Sequence, residues 1–241
     1  MNIFIMPVIS IVFAYTSVSG QANFGNKYGL NVVNNIKLLE SEIEADSNKL
    51  MVDVKKAIPD LILDLRYTTR NNFMHQRLYQ LTRTTYLRLP AVIALKKITA
   101  ELHSKNLSIK IFDAYRPYSV TEQMWEQVKD NRYAADPARG SGHNRGTAVD
   151  LTLVNLLTKK ELPMGTGFDN FSDTAHMDFE QLPPGVLQNR RFLKSIMEKY
   201  GFESLDTEWW HFSLPAANSY ELLNLSFDAL KKLNEQNFNA K

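Results

Sequence analysis

The chain has 241 residues, enough for one domain with a sizeable core or two small ones. Hydrophobic residues make up 44% and charged residues 22%, an ordinary soluble balance, and a net charge of +2 is too small to argue for nucleic acid or an acidic membrane face. Cysteine is absent, which removes disulfides, thiolate metal sites, a cysteine nucleophile and a lipoprotein anchor; any metal must be held through nitrogen and oxygen.

Residues 3–15 form an apolar run broken only by Pro7 and Ser10, followed by Thr16, Ser17, Ser19 and Gly20. The run is shorter than the ~20 residues a membrane-spanning helix needs. It reads as a secretory signal peptide over residues 1–22, cleaved near Gly20 or Ala22, although no basic side chain precedes it. The expectation is an exported, periplasmic protein with no stable membrane span once mature. An uncleaved interfacial anchor is the alternative, and a cytoplasmic protein if the segment is no signal. Residues 23–50, rich in Asn, Ser and charge, read as a linker with a short helix at 32–44.

From Val52 the pattern tightens, and a domain is expected over residues 51–229 with a tail at 230–241. Residues 61–67 read as a strand. Residues 89–105 carry Val92, Leu95, Ile98 and Leu102 at helical spacing, with Pro90 suited to a first turn. Residues 108–113 alternate as a strand, and Ser119 with Glu122 matches a capping box opening a helix to about Val128. A loop at 131–142 leads to a strand at 147–153, whose period of two puts Asp150 on one face with Ala148 and Thr152. A long Gly- and Pro-marked loop spans 158–184, of the kind that often carries function. A helix at 187–200, a strand at 209–214, and an extended piece followed by a helical tail at 218–234 complete the chain. The uneven connections favour an α+β fold, with a mostly antiparallel central sheet flanked by helices. No glycine-rich phosphate loop occurs.

Two short stretches hold the polar residues that fit worst in their surroundings. In Ser141-Gly142-His143-Asn144-Arg145-Gly146-Thr147-Ala148-Val149-Asp150, a histidine in a tight loop precedes an aspartate in an apolar strand. A carboxylate there is expensive to bury without a partner. In Glu208-Trp209-Trp210-His211 a second histidine sits among aromatics. Each has a plain alternative, a salt bridge or a structural hydrogen bond. Together, His143, Asp150 and His211 are two imidazoles and one carboxylate, a set that suits Zn²⁺ and leaves a fourth position for water. Glu208 is then a spare carboxylate placed as a general base. Arg116, in Asp113-Ala114-Tyr115-Arg116-Pro117, reads either as a loop salt bridge or as a cation beside a developing oxyanion.

These segments, with Leu65-Arg66-Tyr67, Pro163-Met164-Gly165-Thr166-Gly167-Phe168-Asp169 and Gln188-Asn189-Arg190-Arg191, resemble the VanX-type D-alanyl-D-alanine dipeptidases, in the same order, from about Val52 to Asp228. The resemblance implies the zinc D,D-peptidase fold of the hedgehog/D-Ala-D-Ala peptidase type. It implies one Zn²⁺ per chain on His143, Asp150 and His211, Glu208 as base, and Arg116 against the tetrahedral intermediate. It places Ser141 and Asp169 at the ends of a small D,D-dipeptide, with Asp169 near the free ammonium. Tyr67, Trp209 and Trp210 would wall the pocket, although aromatic residues there equally suit a core. The N-terminal extension, the tail from Leu230 and the loop at 131–139 depart from the family pattern. Two other functions stand beside the dipeptidase: a D,D- or L,D-carboxypeptidase acting on larger peptidoglycan peptides, and a non-catalytic zinc-containing cell-wall binding module.

Overall fold

The computed structural model describes residues 26–215 and 217–239. In chain order it contains β1 (Val32–Val33), α1 (Ile36–Ala45), β2 (Met51–Asp53), α2 (Val54–Ala57), β3 (Ile62–Leu63), β4 (Tyr86–Arg88), α3 (Leu89–His103) and β5 (Leu107–Asp113). Then come α4 (Tyr118–Val128), α5 (Gly142–Arg145), β6 (Ala148–Asn155), α6 (Pro184–Lys199), β7 (Glu203–Leu205), β8 (Glu208–Ser213), β9 (Leu222–Leu223) and α7 (Phe227–Asn239). The signal peptide expected at 1–22 lies outside the described residues. No helix among the described residues is long and apolar enough to cross a membrane.

The main sheet runs β3-β5-β6-β8-β7, antiparallel except for the β3–β5 pair. Beside it, α3 begins with Pro90 in its first turn and sinks Val92, Leu95, Ile98 and Leu102 into the main core with Ile109, Ile111, Leu151 and Leu153. Burying each such side chain contributes about 1.5–3 kcal/mol. The register of the sheet sets up the site. Asp113 lies opposite Asp150 across β5 and β6, past an irregularity after Ile111, and Asp150 lies opposite His211 across β6 and β8. Three neighbouring strands therefore bring two acids and a histidine into one row.

Several local expectations change. The strand expected at 61–67 is only two residues long, because Arg66–Thr68 turn into a 3-10 helix in which the Thr68 N–H donates to the Leu65 carbonyl. The capping box at Ser119 does not form. The α4 helix starts at Tyr118, and the Ser119 N–H and hydroxyl both donate to Asn224 Oδ1 instead. The residues expected to be a linker and a tail are part of the fold. Val32 and Val33 of β1 pair in parallel with Leu222 and Leu223 of β9. Leu39 of α1 is buried in a second core with Tyr86, Tyr115, Phe227, Leu230 and Leu233. The Asn234 side chain ties α7 to β2, accepting from the Asp53 N–H and donating to the Met51 carbonyl. Apolar residues at Ile36, Leu39 and Ile43 give α1 its inner face despite the polar composition around them.

Candidate active site

The floor of the site begins with α5. Ser141 caps this short helix: its Oγ accepts from the His143 N–H, and its own N–H donates to Asn144 Oδ1. Gly146 ends the helix at φ +70°, with Met51 so close that a Cβ would lie 2.7 Å from its side chain. The chain can therefore turn at once into β6, and His143 and Asp150 meet.

His143 is 2% exposed. Its Nδ1–H donates to the Ala114 carbonyl at 2.7 Å, which leaves Nε2 with a free lone pair. That Nε2 lies 3.4 Å from Asp150 Oδ2 and 3.2 Å from His211 Nδ1, and His211 Nδ1 lies 2.9 Å from Asp150 Oδ1. Ligand atoms of the three residues fall within 4.8 Å of one another. Donors held about 2.0–2.2 Å from a tetrahedral ion sit roughly 3.3–3.6 Å apart, close to these separations. Burial alone would raise the Asp150 carboxyl, but the two histidines outweigh it and hold it below the usual carboxylate range. The donor set, its tautomer and its spacing all fit a divalent ion bound through nitrogen and oxygen.

Around this point the other predicted residues gather along one cavity of about 220 Å³, lined among others by Tyr67, Phe73, Arg116, Tyr133, Ser141, Asp169, Glu208 and Trp210. That is below the ~300–1,000 Å³ of sites for drug-sized ligands. Glu208 Oε2 stands 3.9 Å from His211 Nδ1. Burial, together with Asp150 and Asp169, pushes the Glu208 carboxyl well above its ordinary value. Arg116 donates from Nε and Nη2 to Asp113 Oδ2 at 3.1 and 2.9 Å, and its guanidinium lies 5.2 Å from the Tyr67 ring centre. Burial disfavours its charge, but Asp113 more than compensates, so the guanidinium stays protonated. Arg116 is thus the salt-bridge partner of Asp113 and at the same time part of the cavity wall.

Asp169 adopts φ +60°, and its carboxylate is held from both sides. Oδ1 accepts from the Tyr67 hydroxyl at 2.9 Å, and Oδ2 from the Phe73 N–H at 3.2 Å. Burial pushes its pKa up to about 7 despite these bonds. Trp210 lines the cavity, whereas Trp209 is not among the lining residues. Trp209 packs edge-on against Trp210, and its indole N–H donates to Thr166 Oγ1 at 2.8 Å. It supports the loop that carries Asp169 from behind, because its polar atom finds a partner there.

Three contributors had no reading of their own in the sequence. Asp113 is 1% exposed and accepts from Arg116 and from the Tyr79 hydroxyl. Phe73 supplies the second bond to Asp169. Arg190, 1% exposed on α6, donates to the carbonyls of Met164, Thr174 and His176, fastening the loop on both sides of Asp169. An acid three residues before Arg116 was a usable signal for Asp113; the other two depend on long-range contacts.

Comparison with known proteins bears on this geometry. The family model described as D-ala-D-ala dipeptidase matches residues 46–229. The D-alanyl-D-alanine dipeptidase of Escherichia coli K12 is 38% identical over 173 residues, covering 72% of this chain and 89% of that protein. The D-alanyl-D-alanine dipeptidase of Enterococcus faecium is 31% identical over 182 residues, 65% of this chain and 89% of that protein. A solved structure of the vancomycin-resistance D,D-pentapeptidase VanY in complex with Zn(II) aligns with a TM-score of 0.38 at 14% identity, over 66% of this chain and 83% of that one. The family match spans every strand of the main sheet and every residue of the cavity, and on that ground the chain belongs to the D-Ala-D-Ala dipeptidase family of metallopeptidases.

Proposed function

We propose that this enzyme hydrolyses D-alanyl-D-alanine to two molecules of D-alanine, with one Zn²⁺ held by His143, Asp150 and His211. The observation that carries the reading is the convergence of those three donor groups beside Glu208 in a cavity that Asp169 also lines. Zinc suits two imidazoles and one carboxylate, and thiolate ligands are excluded by the absence of cysteine. A bound ion of this type supplies Lewis acidity, acidifying water and polarising a carbonyl oxygen.

The protein's own groups do the rest. Asp169, fixed by Tyr67 and Phe73, receives the substrate's ammonium in a charge-assisted hydrogen bond. Glu208 takes a proton from the attacking water as its oxygen adds to the peptide carbonyl carbon. It then delivers that proton to the leaving nitrogen as the C–N bond breaks. Arg116, immobilised by Asp113, offers a preorganised cation to the negative charge that develops on the carbonyl oxygen. Ser141 Oγ accepts from the His143 N–H, and its hydroxyl keeps a donor on the cavity wall for the substrate's other end.

Metal analysis of the purified protein, paired with hydrolysis of D-Ala-D-Ala and of a peptidoglycan pentapeptide, tests this reading. About one zinc per chain, chelator-sensitive turnover and preference for the dipeptide are expected. Preference for the pentapeptide would make the enzyme a carboxypeptidase, and chelator-resistant turnover would remove the metal. The apolar run at 3–15 supports export to the periplasm; cell fractionation finding the protein only in the cytoplasm would overturn it.

A further inference from the structure

Away from the metal-type donors, a second stretch of the cavity wall is built from aromatic rings. Tyr67 meets Phe73 edge-on with ring centres 6.3 Å apart, and Phe73 meets Phe171 at 5.1 Å. Phe171 in turn stacks on Tyr133 at 4.8 Å with ring planes 25° apart. The row crosses three separate parts of the chain: residues 67–73, the loop carrying Asp169, and the loop after α4. Phe73 and Tyr133 line the cavity, and Phe171 touches both, so it is the ring that joins the two sides. The row starts from the Tyr67 hydroxyl and the Phe73 N–H, the two groups that hold the Asp169 carboxylate. It therefore bounds the cavity where a substrate's amine would meet Asp169. The Tyr133 side is secured as well: Thr207 Oγ1 donates to the Arg132 carbonyl, and the Arg132 guanidinium lies 5.1 Å from the Tyr133 ring centre.

We propose that the Phe171–Tyr133 stack sets the upper limit on substrate length, by occupying the space that any residue attached to the dipeptide's amine nitrogen would need. The proposal rests on the dipeptidase reading and names the residues that enforce it. Asp169 alone favours a charged amine. A wall is needed to refuse a longer peptide that could still satisfy the metal and Arg116, because specificity requires an element that acts against the wrong ligand. The Phe171 and Tyr133 rings are both partly exposed and belong to loops. Neither side chain bonds Asp169, and neither belongs to the three donor groups.

The test compares kcat/KM for L-Lys-D-Ala-D-Ala, followed by release of its terminal D-alanine, with kcat/KM for D-Ala-D-Ala. Wild type, Phe171→Ala, Tyr133→Ala and Tyr133→Phe are measured, each with its metal content. Both alanine variants should raise the tripeptide-to-dipeptide ratio at least about tenfold, the scale on which a steric pocket discriminates. Tyr133→Phe keeps the ring and should keep the wild-type ratio. If wild type cleaves the dipeptide but either alanine variant stays within about threefold of its ratio, the proposal fails and the dipeptidase reading survives. If wild type leaves D-Ala-D-Ala intact, both fail together.

Discussion

The two sides of the cavity are held by different means. The floor, with His143, Asp150, His211 and Glu208, is set by strand register and a capped helix turn, so its geometry follows from backbone hydrogen bonds between neighbouring strands. The roof, with Asp169, Phe73, Phe171 and Tyr133, stands on loops outside the sheet, tied in large part by side chains, chiefly Tyr67, Trp209 and Arg190. On the proposed reading, regular structure fixes the groups that do chemistry, and loops fix what is admitted to them. Damage to the floor should therefore abolish turnover, whereas damage to the roof should change substrate affinity and choice.

The largest effect is expected at His143. His143→Ala removes one of three donors, and metal and activity should disappear together; full metal occupancy by elemental analysis would take His143 out of the ligand set. Glu208→Ala should keep metal and lower kcat by about 10²–10⁴-fold, the usual contribution of a general base. A wild-type kcat in that variant would assign the base elsewhere. Across the cavity, Asp169→Asn should lower kcat/KM by about 10–100-fold, mostly through KM, as expected for loss of a hydrogen bond to a charged group.

The same variant sharpens the contrast through pH. The Asp169 carboxyl is raised to about 7 in the folded protein, against about 3.9 in an unfolded chain. Between those values the folded state binds more protons, so this group lowers stability as pH rises through the window. Asp169→Asn should thus melt higher than wild type at pH 8, with the difference vanishing below about pH 4. An equal Tm difference at both pH values would refute the burial of that charge. The smallest kinetic effect is expected for Arg190→Lys. Lysine cannot reproduce three divergent donors, and each buried carbonyl left unpaired costs about 1–3 kcal/mol. KM should rise several-fold while kcat and metal content hold; a fall in kcat with unchanged KM would show that α6 supports the floor instead.

The same division explains what could be read in advance. His143, Asp150 and His211 are legible because each is chemically awkward in its local sequence, and local cost is visible without coordinates; Glu208 is legible only through its place three residues before His211. The main sheet was legible for the same reason, since β5, β6 and β8 alternate or run apolar. The roof was not. The Tyr67–Asp169 bond joins residues 102 apart in the chain, and Phe171 and Tyr133 sit in loops with no period to interpret. Arg190 reads as one more polar helix residue until its carbonyl partners are seen. Both terminal helices are legible but their packing is not, because the face that Ile36, Leu39 and Ile43 give α1 meets a partner, α7, at the opposite end of the chain. The three-residue β7 has too little pattern to announce itself.

The left-handed backbone at Asp169 has a consequence for how this enzyme can change. Aspartate and asparagine enter that region far more readily than bulkier residues. Erasing the charge is therefore a conformationally easy single step, whereas Asp169→Glu would preserve the charge and strain the turn that presents it. If Asp169 reads the substrate's amine as proposed, the route to a folded relative without that preference is short, and the route that keeps the preference on a longer arm is steep.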